Sequence, residues 1–144
     1  SFRAIIDKRC DGYMKMTILG PFNVVMGELL VEDGRYTVTK DGEDVTDMLW
    51  VGFGETEVRL FMDAFRTPPE LPDESYDMSS IDGSYVFKKA ANTFTISSDF
   101  NLYAIEKPQH TIGYSMEDDY PSSIMFSMGM MTLSVKFTDK WVLP

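Results

Sequence analysis

Apolar and polar residues alternate with a period of two along most of this 144-residue chain, as in β-strands with one buried face. In the first half, Asp-Gly pairs at 11–12, 33–34 and 41–42 interrupt the alternation, and this dipeptide favours a tight hairpin turn. Met14, Met16 and Ile18 share one face of the second strand. The pattern predicts four antiparallel strands, namely a first one with Phe2, Ala4 and Ile6 on one side, and then residues 13–19, 27–32 and 35–39.

The period becomes that of a helix between residues 55 and 66. Val58, Phe61, Met62 and Phe65 fall at i, i+3, i+4 and i+7, which places them on one apolar stripe. The prolines at 68 and 69 must end this helix, because proline lacks the amide donor and restricts the residue before it. Residues 41–54 are ambiguous, since the apolar segment 48–51 fits either a helical turn or a short buried segment.

Residues 68–82 are rich in Pro, Ser and Asp and show no periodicity, so we expect a long loop there. Strands are predicted again after it, at residues 84–88, 92–97, 100–105, 109–116, 122–127 and 130–137. Roughly ten strands and one or two helices predict an α+β chain dominated by antiparallel sheet.

Composition limits the classes of function. With 44% apolar or aromatic residues, the chain can build one core without metals or disulfides. Thirteen basic and 23 acidic residues give a net charge of −10, which argues against nucleic acid as a partner and against electrostatic docking on anionic lipid. No apolar run approaches the roughly 18 residues that cross a bilayer. Because strand-like alternation starts at once, we expect any export signal or anchor to lie outside this sequence.

Residues that usually carry catalysis or bind metals are scarce. His110 is the only histidine and Cys10 the only cysteine, so the sequence offers no histidine cluster, no internal disulfide and no histidine pair to activate a thiol. The acidic residues at 43–44 and 117–119 fall in predicted turns and lack the ligand spacing of a calcium loop. No phosphate loop, dinucleotide fingerprint or nucleophile elbow occurs. We therefore predict no enzyme activity, no metal site and no cofactor.

The apolar residues are unusual in kind. Eight of the eleven methionines lie within residues 14–26 and 116–131. Methionine is flexible and polarizable, which suits surfaces that accept variable apolar partners, although any single methionine equally suits a core. The connection at residues 20–27, GPFNVVMG, is nearly all apolar where a turn is normally polar. Such a run at a hairpin tip predicts an apolar surface patch, with Phe22 as its most prominent residue.

Motifs at both ends of the chain, in the same order, resemble the outer-membrane lipoprotein receptor LolB and its relatives. The first motif is Asp-Gly-Tyr-x-Lys-x-Thr-x-Leu-Gly-Pro-Phe at 11–22, followed by Asp-Gly-Arg-Tyr-Thr-Val at 33–38. The closing motifs are Thr-Ile-Gly-Tyr at 111–114, Tyr-Pro at 120–121, Met-Thr-Leu-Ser-Val-Lys-Phe at 131–137 and Asp-Lys-Trp at 139–141. Phe22 stands where the family has leucine, and the middle of the chain lacks the Trp-x-x-Gly segment of LolB.

The resemblance implies a single LolA/LolB-like domain over residues 1–144, folded as an antiparallel, incompletely closed half-barrel with one or two helices plugging its concave mouth. It implies a lipid-anchored protein on the periplasmic side of the outer membrane of a Gram-negative bacterium. Such a protein binds acyl chains of lipoproteins or lipids in an apolar cavity and helps place lipoproteins in the inner leaflet of the outer membrane, with a periplasmic carrier as a further partner. A non-catalytic envelope protein of the same fold, with a filled barrel, is the alternative.

Carried onto this sequence, the resemblance gives two sets of site residues. The turn that contacts membrane or cargo is Pro21 and Phe22. The residues expected to bind cargo, from the second strand and the helix stripe, are Met14, Met16, Ile18, Val58, Phe61, Met62 and Phe65. The same helix stripe would also fit a helix that packs permanently on the sheet.

Overall fold

The structure is a computed structural model, and it describes residues 3–9, 11–49, 55–65, 69–117 and 120–138. The chain divides into two compact units, Ser1–Pro69 and Glu70–Pro144. The expectation of a single domain over residues 1–144 stays a prediction. Several sequence-based expectations lie outside the described residues, namely those on Phe2, Cys10, Trp50, Val51, the 67–68 helix stop, residues 118–119 and Trp141.

The first unit contains a five-stranded antiparallel sheet in which each strand pairs with its neighbours along the chain. Its elements are β1 (Arg3–Lys8), β2 (Met14–Leu19), β3 (Val25–Glu32), β4 (Arg35–Lys40), β5 (Glu43–Asp44), the helical turn α1 (Thr46–Leu49) and the helix α2 (Glu55–Asp63). The Asp-Gly turns at 33–34 and 41–42 have the expected geometry, since both residues of each pair have positive φ angles, as a type I′ turn requires. The β1–β2 hairpin also forms, but the pair at 11–12 lies in a five-residue connection between Lys8 and Met14 rather than in a tight two-residue turn. The hairpin predictions for this unit are therefore confirmed.

The two faces of this sheet differ in polarity because side chains alternate across a strand. In register, Met14 lies opposite Val31 and Met16 opposite Leu29, and all four side chains are buried. The other face carries polar pairs, and there the Lys15 Nζ atom lies 2.6 Å from Glu28 Oε1. The alternation predicted from the sequence therefore separates a core face from a polar face.

Helix α2 lies against the core face of this sheet. The Arg59 guanidinium carbon sits 4.3 Å from the centroid of the Tyr36 ring, and Tyr36 is paired with Val31 on that face. Met62 and Phe65 are almost completely buried, and the Phe65 ring meets Phe61 edge-on at 5.1 Å. The amphipathic stripe predicted from the sequence thus faces the core.

The second unit contains a seven-stranded antiparallel meander. Its strands are β6 (Asp77–Ile81), β7 (Ser84–Lys89), β8 (Asn92–Ile96), β9 (Leu102–Glu106), β10 (Thr111–Glu117), β11 (Tyr120–Met128) and β12 (Met131–Lys136). One apolar side chain from each strand lies in register with the next, forming a continuous row from Met78 to Leu133. Phe94, Ile105, Ile112 and Phe126 in the middle of this row are buried.

The predicted loop over residues 68–82 is wrong at its end, because β6 occupies residues 77–81. β6 reads Asp-Met-Ser-Ser-Ile, too polar to show a clear alternation. The strand is instead fixed by its pairing with β7 and by the turn into β7, in which Asp82 and Gly83 have positive φ angles. With β6 included, the described residues hold twelve strands, one helix of nine residues and one helical turn. The antiparallel, β-rich α+β class is confirmed, and neither described sheet closes on itself.

Candidate functional site

The turn between β2 and β3 has a rare backbone conformation. Phe22 has φ 58° and ψ 24°, and Asn23 has φ 60°. The Val24 amide donates to the Pro21 carbonyl at 3.3 Å, which closes a type I′ turn with Phe22 and Asn23 as its central residues. Asparagine and glycine suit these positions, whereas a bulky residue with positive φ is a genuine outlier. The sequence thus places a phenylalanine where the backbone disfavours it.

Phe22 is fully exposed, so packing does not explain why it is there. Left-handed backbone costs an ordinary residue about 1–2 kcal/mol. Buried contacts that would offset this cost are absent for a ring with 100% exposure. Strain of this kind is concentrated at functional sites. The exposed, strained Phe22 is therefore the strongest functional signal among the described residues.

The turn is held in place by specific contacts. The Gly20 amide donates to the Val24 carbonyl at 2.8 Å, and Arg3 Nη1 donates to Asn23 Oδ1 at 3.1 Å. Met26 is the extra residue of a bulge in the β2–β3 pairing, and its side chain covers Gly20. A Cβ atom at residue 20 would lie 2.5 Å from Met26 Sδ, so a side chain there would displace Met26. These contacts present Phe22 on a defined support.

The residues that follow Phe22 extend it into a patch, which we call the apolar tip and define as Phe22, Val24, Val25 and Met26. All four are exposed. Scattered exposed apolar residues need no explanation, but a contiguous group at one hairpin end marks a contact surface. The apolar patch predicted from the sequence is present, with Pro21 and Phe22 at its outer end.

The seven residues predicted to bind cargo all belong to the first unit; six lie on β2 and α2, and Phe65 lies in the turn just after the end of α2 at Asp63. The contact of Arg59 with Tyr36 brings α2 to the face that carries Met14 and Met16. Four of the seven are buried, namely Met14, Met16, Met62 and Phe65, and three are half-buried, namely Ile18, Val58 and Phe61. A residue that lined an open lumen would keep accessible surface, so the buried four pack in a closed interior. Their role in cargo binding stays a prediction.

Other chemistry-bearing groups do not assemble around this site. His110 is buried, with its ring centroid 5.6 Å from that of Phe126 in the second unit. Within the described ranges, no group of three His, Cys, Asp or Glu side chains is placed to hold a metal ion. An open depression of about 330 Å³ lies on the polar face of the first sheet, lined by Leu30, Glu32, Asp33, Arg35 and Thr37. Its lining is too polar for an acyl chain.

Electrostatic perturbations also lie away from the apolar tip. The hydrogen bond from Lys15 holds the pKa of Glu28 below its usual value, on the polar face of the first sheet. In the second unit, burial raises the pKa of Tyr114 to about 12, with a smaller contribution from the negative charge of Glu70. Neither group contacts the tip, so these shifts concern stability.

Sequence reasoning missed a second exposed phenylalanine with positive φ. Phe100, in the turn between β8 and β9, has φ 62° and is 78% exposed. One side of its ring stacks on Tyr85, with centroids 5.6 Å apart and planes tilted by 14°. Met130 is also fully exposed, in the turn between β11 and β12. The residues around Phe100 are polar, so the sequence there has no apolar run like the one at residues 20–27 that indicated Phe22.

No family model, curated protein or solved structure matches this chain. The resemblance to LolB therefore stays a prediction that rests on the quoted motifs. In the described part of the chain, the helices are too short and too polar to span a membrane.

Proposed function

We propose that this chain is a non-catalytic lipid-binding module of the LolB type. In this proposal the apolar tip enters a lipid surface or the acyl part of a lipoprotein. The cargo-binding residues of β2 and α2 receive acyl chains inside an incompletely closed half-barrel with α2 at its mouth. The setting is the periplasmic side of the outer membrane, and a periplasmic carrier hands over the lipoprotein.

The observation that carries the proposal is the conformation of Phe22. A turn selected only for folding would place Asn or Gly at this position, because both adopt positive φ at little cost. The chain instead keeps a phenylalanine that is strained and fully exposed. An apolar environment outside the folded chain, such as lipid, would give the ring its missing burial.

The energy available to the tip is large enough for reversible membrane contact. Full burial of a phenylalanine side chain contributes about 1.5–3 kcal/mol, and Val24, Val25 and Met26 add to this. The net charge of −10 opposes binding to anionic lipid, so the contact must be apolar and must favour zwitterionic surfaces. The tip therefore supports a transient contact with membrane rather than a permanent anchor.

Acyl chains require a different site, since the tip is convex and exposed. Each buried methylene contributes about 0.8 kcal/mol, so an acyl chain needs only an apolar interior of sufficient length. The buried Met14, Met16, Met62 and Phe65 supply apolar side chains, and methionines repack readily around a guest. In the closed interior, an acyl chain would have to separate α2 from the sheet. Binding of an acyl chain is thus coupled to movement of α2.

Vesicle co-sedimentation tests the role of the tip. We expect the protein to bind phosphatidylcholine vesicles and Phe22→Glu to lose this binding while the melting temperature stays nearly unchanged. Met130→Glu is the matched control, because it removes a fully exposed apolar side chain from a hairpin turn of the second unit. Equal losses in both variants, or no binding by the unaltered protein, would refute the role of the tip.

Native mass spectrometry and a fluorescent fatty-acid analogue test the acyl site. Protein purified from membranes should carry bound lipid, and the analogue should compete with it. Met62→Lys should abolish the binding of the analogue, because it places a charge on the inner face of α2. Glu57→Lys, on the same helix outside the apolar stripe, is the control and should bind as the unaltered protein does.

The closed interior favours a second candidate function, an envelope interaction module of the same fold whose core is permanently filled. The observation behind it is the almost complete burial of Met62 and Phe65. In that case the protein still binds vesicles through the tip, but no lipid co-purifies with it and the fluorescent fatty-acid analogue does not bind. The two assays together separate a carrier from a membrane-contacting scaffold.

A further inference from the structure

The sheets end in strands that differ in how well they are shielded. In the first unit, β1 carries three charged residues and β5 is only two acidic residues long, and both features discourage the addition of another strand. In the second unit, β6 is five residues long, pairs with β7 without a bulge and is exposed at every position. It contains no proline and no lysine, and Asp77 is its one charged residue. β6 therefore lacks the usual protection of an edge strand.

The turn into β7 determines which backbone groups of β6 point outward. Asp82 and Gly83 form a two-residue turn, so Ile81 and Ser84 are the hydrogen-bonded pair that closes the hairpin. Hydrogen-bonded and non-hydrogen-bonded pairs alternate along an antiparallel ladder. The amide and carbonyl groups of Met78 and Ser80 consequently point away from β7. They form a short template for one more strand.

The side chains of β6 specify what such a strand should carry. Met78 is 64% exposed and forms the outer end of the apolar row across the sheet, so an apolar residue beside it would lengthen that row. The opposite face carries Asp77. From residue 69 to residue 87 the chain contains five acidic residues and no lysine or arginine. Lys107 Nζ pairs with Glu70, and Lys88 lies opposite Asp77 in the register, so basic side chains on the added strand would complement the remaining negative charge of this segment and the net charge of −10 of the chain.

The approach to β6 is held in one conformation. Asp73 accepts hydrogen bonds from the Ser75 amide, at 2.8 Å, and from the Ser75 hydroxyl. Lys89 Nζ donates to Ser75 Oγ at 2.7 Å, and the Tyr76 ring packs edge-on against Phe94 with centroids 5.3 Å apart. A template that is already ordered loses less entropy when a partner binds. β6 is thus preorganised for strand addition.

We propose that β6 is a docking edge for an extended basic peptide segment of a partner protein, which adds antiparallel or parallel to the sheet by backbone hydrogen bonds. Alternating apolar and basic residues on the segment would lie beside Met78 and Asp77 respectively. The backbone bonds supply affinity, and the alternate side chains supply specificity. A second copy of this chain is disfavoured as the occupant because each copy carries a net charge of −10.

Fluorescence anisotropy with a labelled heptapeptide of alternating lysine and valine tests this inference on the full chain. We expect saturable binding that Ser80→Pro weakens at least tenfold, because proline removes the outward amide, whereas Ser80→Thr binds within about twofold of the unaltered protein. Circular dichroism checks that Ser80→Pro keeps its sheet. A peptide of glutamate and valine should bind at least tenfold more weakly.

Two N-methylated peptides keep the test valid even if Ser80→Pro fails to fold. N-methylation on one set of alternate residues blocks the amides that face β6, and on the other set it leaves them free, so only one peptide should lose binding. Equal binding by both methylated peptides, or no binding by the lysine–valine peptide, would overturn the inference. A dimer in analytical ultracentrifugation that Ser80→Pro abolishes would also overturn it, because a second copy would then occupy the edge.

Discussion

Replacing Phe22 by asparagine should raise stability and lower lipid affinity in the same protein. Asparagine adopts positive φ far more readily than phenylalanine, so Phe22→Asn removes most of a backbone cost of about 1–2 kcal/mol. No packing is lost, because the ring is fully exposed. We expect a gain of about 1 kcal/mol in the free energy of unfolding, which raises the melting temperature by about 4 °C. Loss of the ring removes about 1.5–3 kcal/mol of lipid contact, or about ten- to a hundredfold in vesicle affinity.

Two measurements on three proteins test this prediction of higher stability and lower lipid affinity. Urea denaturation gives the free energy of unfolding, and vesicle titration gives the affinity, for the unaltered chain, Phe22→Asn and Phe22→Glu. Glutamate lacks both the ring and the preference for positive φ, so it should lower affinity without the gain in stability. If Phe22→Asn lost more than about 1 kcal/mol of stability, Phe22 would be a packing residue and the strain argument would be refuted.

Three further predictions concern the buried Met16, the loss of stability at alkaline pH, and the contact between Gly20 and Met26 that supports the apolar tip. Met16→Ala should cost about 2–5 kcal/mol in urea denaturation, and a cost below about 1 kcal/mol would mean that Met16 borders open space. Tyr114 has a folded-state pKa of about 12, above its unfolded value, so the stability that it contributes below pH 10 is lost between pH 10 and 12. When the free energy of unfolding is measured against pH, Tyr114→Phe should flatten this decline, and an equally steep decline would contradict burial of the phenol. Gly20→Ala should displace Met26 and weaken vesicle binding, whereas in the Met26→Ala background, which already lacks one side chain of the tip, it should cause no further loss; if the two losses simply added, the contact would be unimportant.

The sequence predicts the architecture well where turn chemistry and alternation agree. The turns at 33–34 and 41–42 lie where the Asp-Gly pairs place them, because only a few residue types tolerate two successive positive φ angles. β6 was missed although Asp82 and Gly83 carry the same signal. Its polar strand gains stability from pairing with β7 rather than from its own residues, so a pattern of apolar positions does not reveal it.

The features of the candidate site can likewise be predicted from the sequence only in part. Exposure of the apolar tip follows from apolar residues in a short connection, but the positive φ of Phe22 does not, because phenylalanine rarely adopts it. Alternation also identifies Met14 and Met16 as inward-facing. It does not say whether the interior is open or filled, since that depends on how α2 packs against the sheet. Local patterns define faces, and tertiary packing defines volumes.

Every described sheet pairing joins strands that follow one another along the chain. Contacts in such a meander are local in sequence, so the contact order is low for a protein of this β content. Each hairpin can form as soon as its own two strands are present, without waiting for a distant segment. A chain that emerges gradually, from a ribosome or a translocation pore, can therefore add its strands one at a time and keep few unpaired edges exposed while it folds.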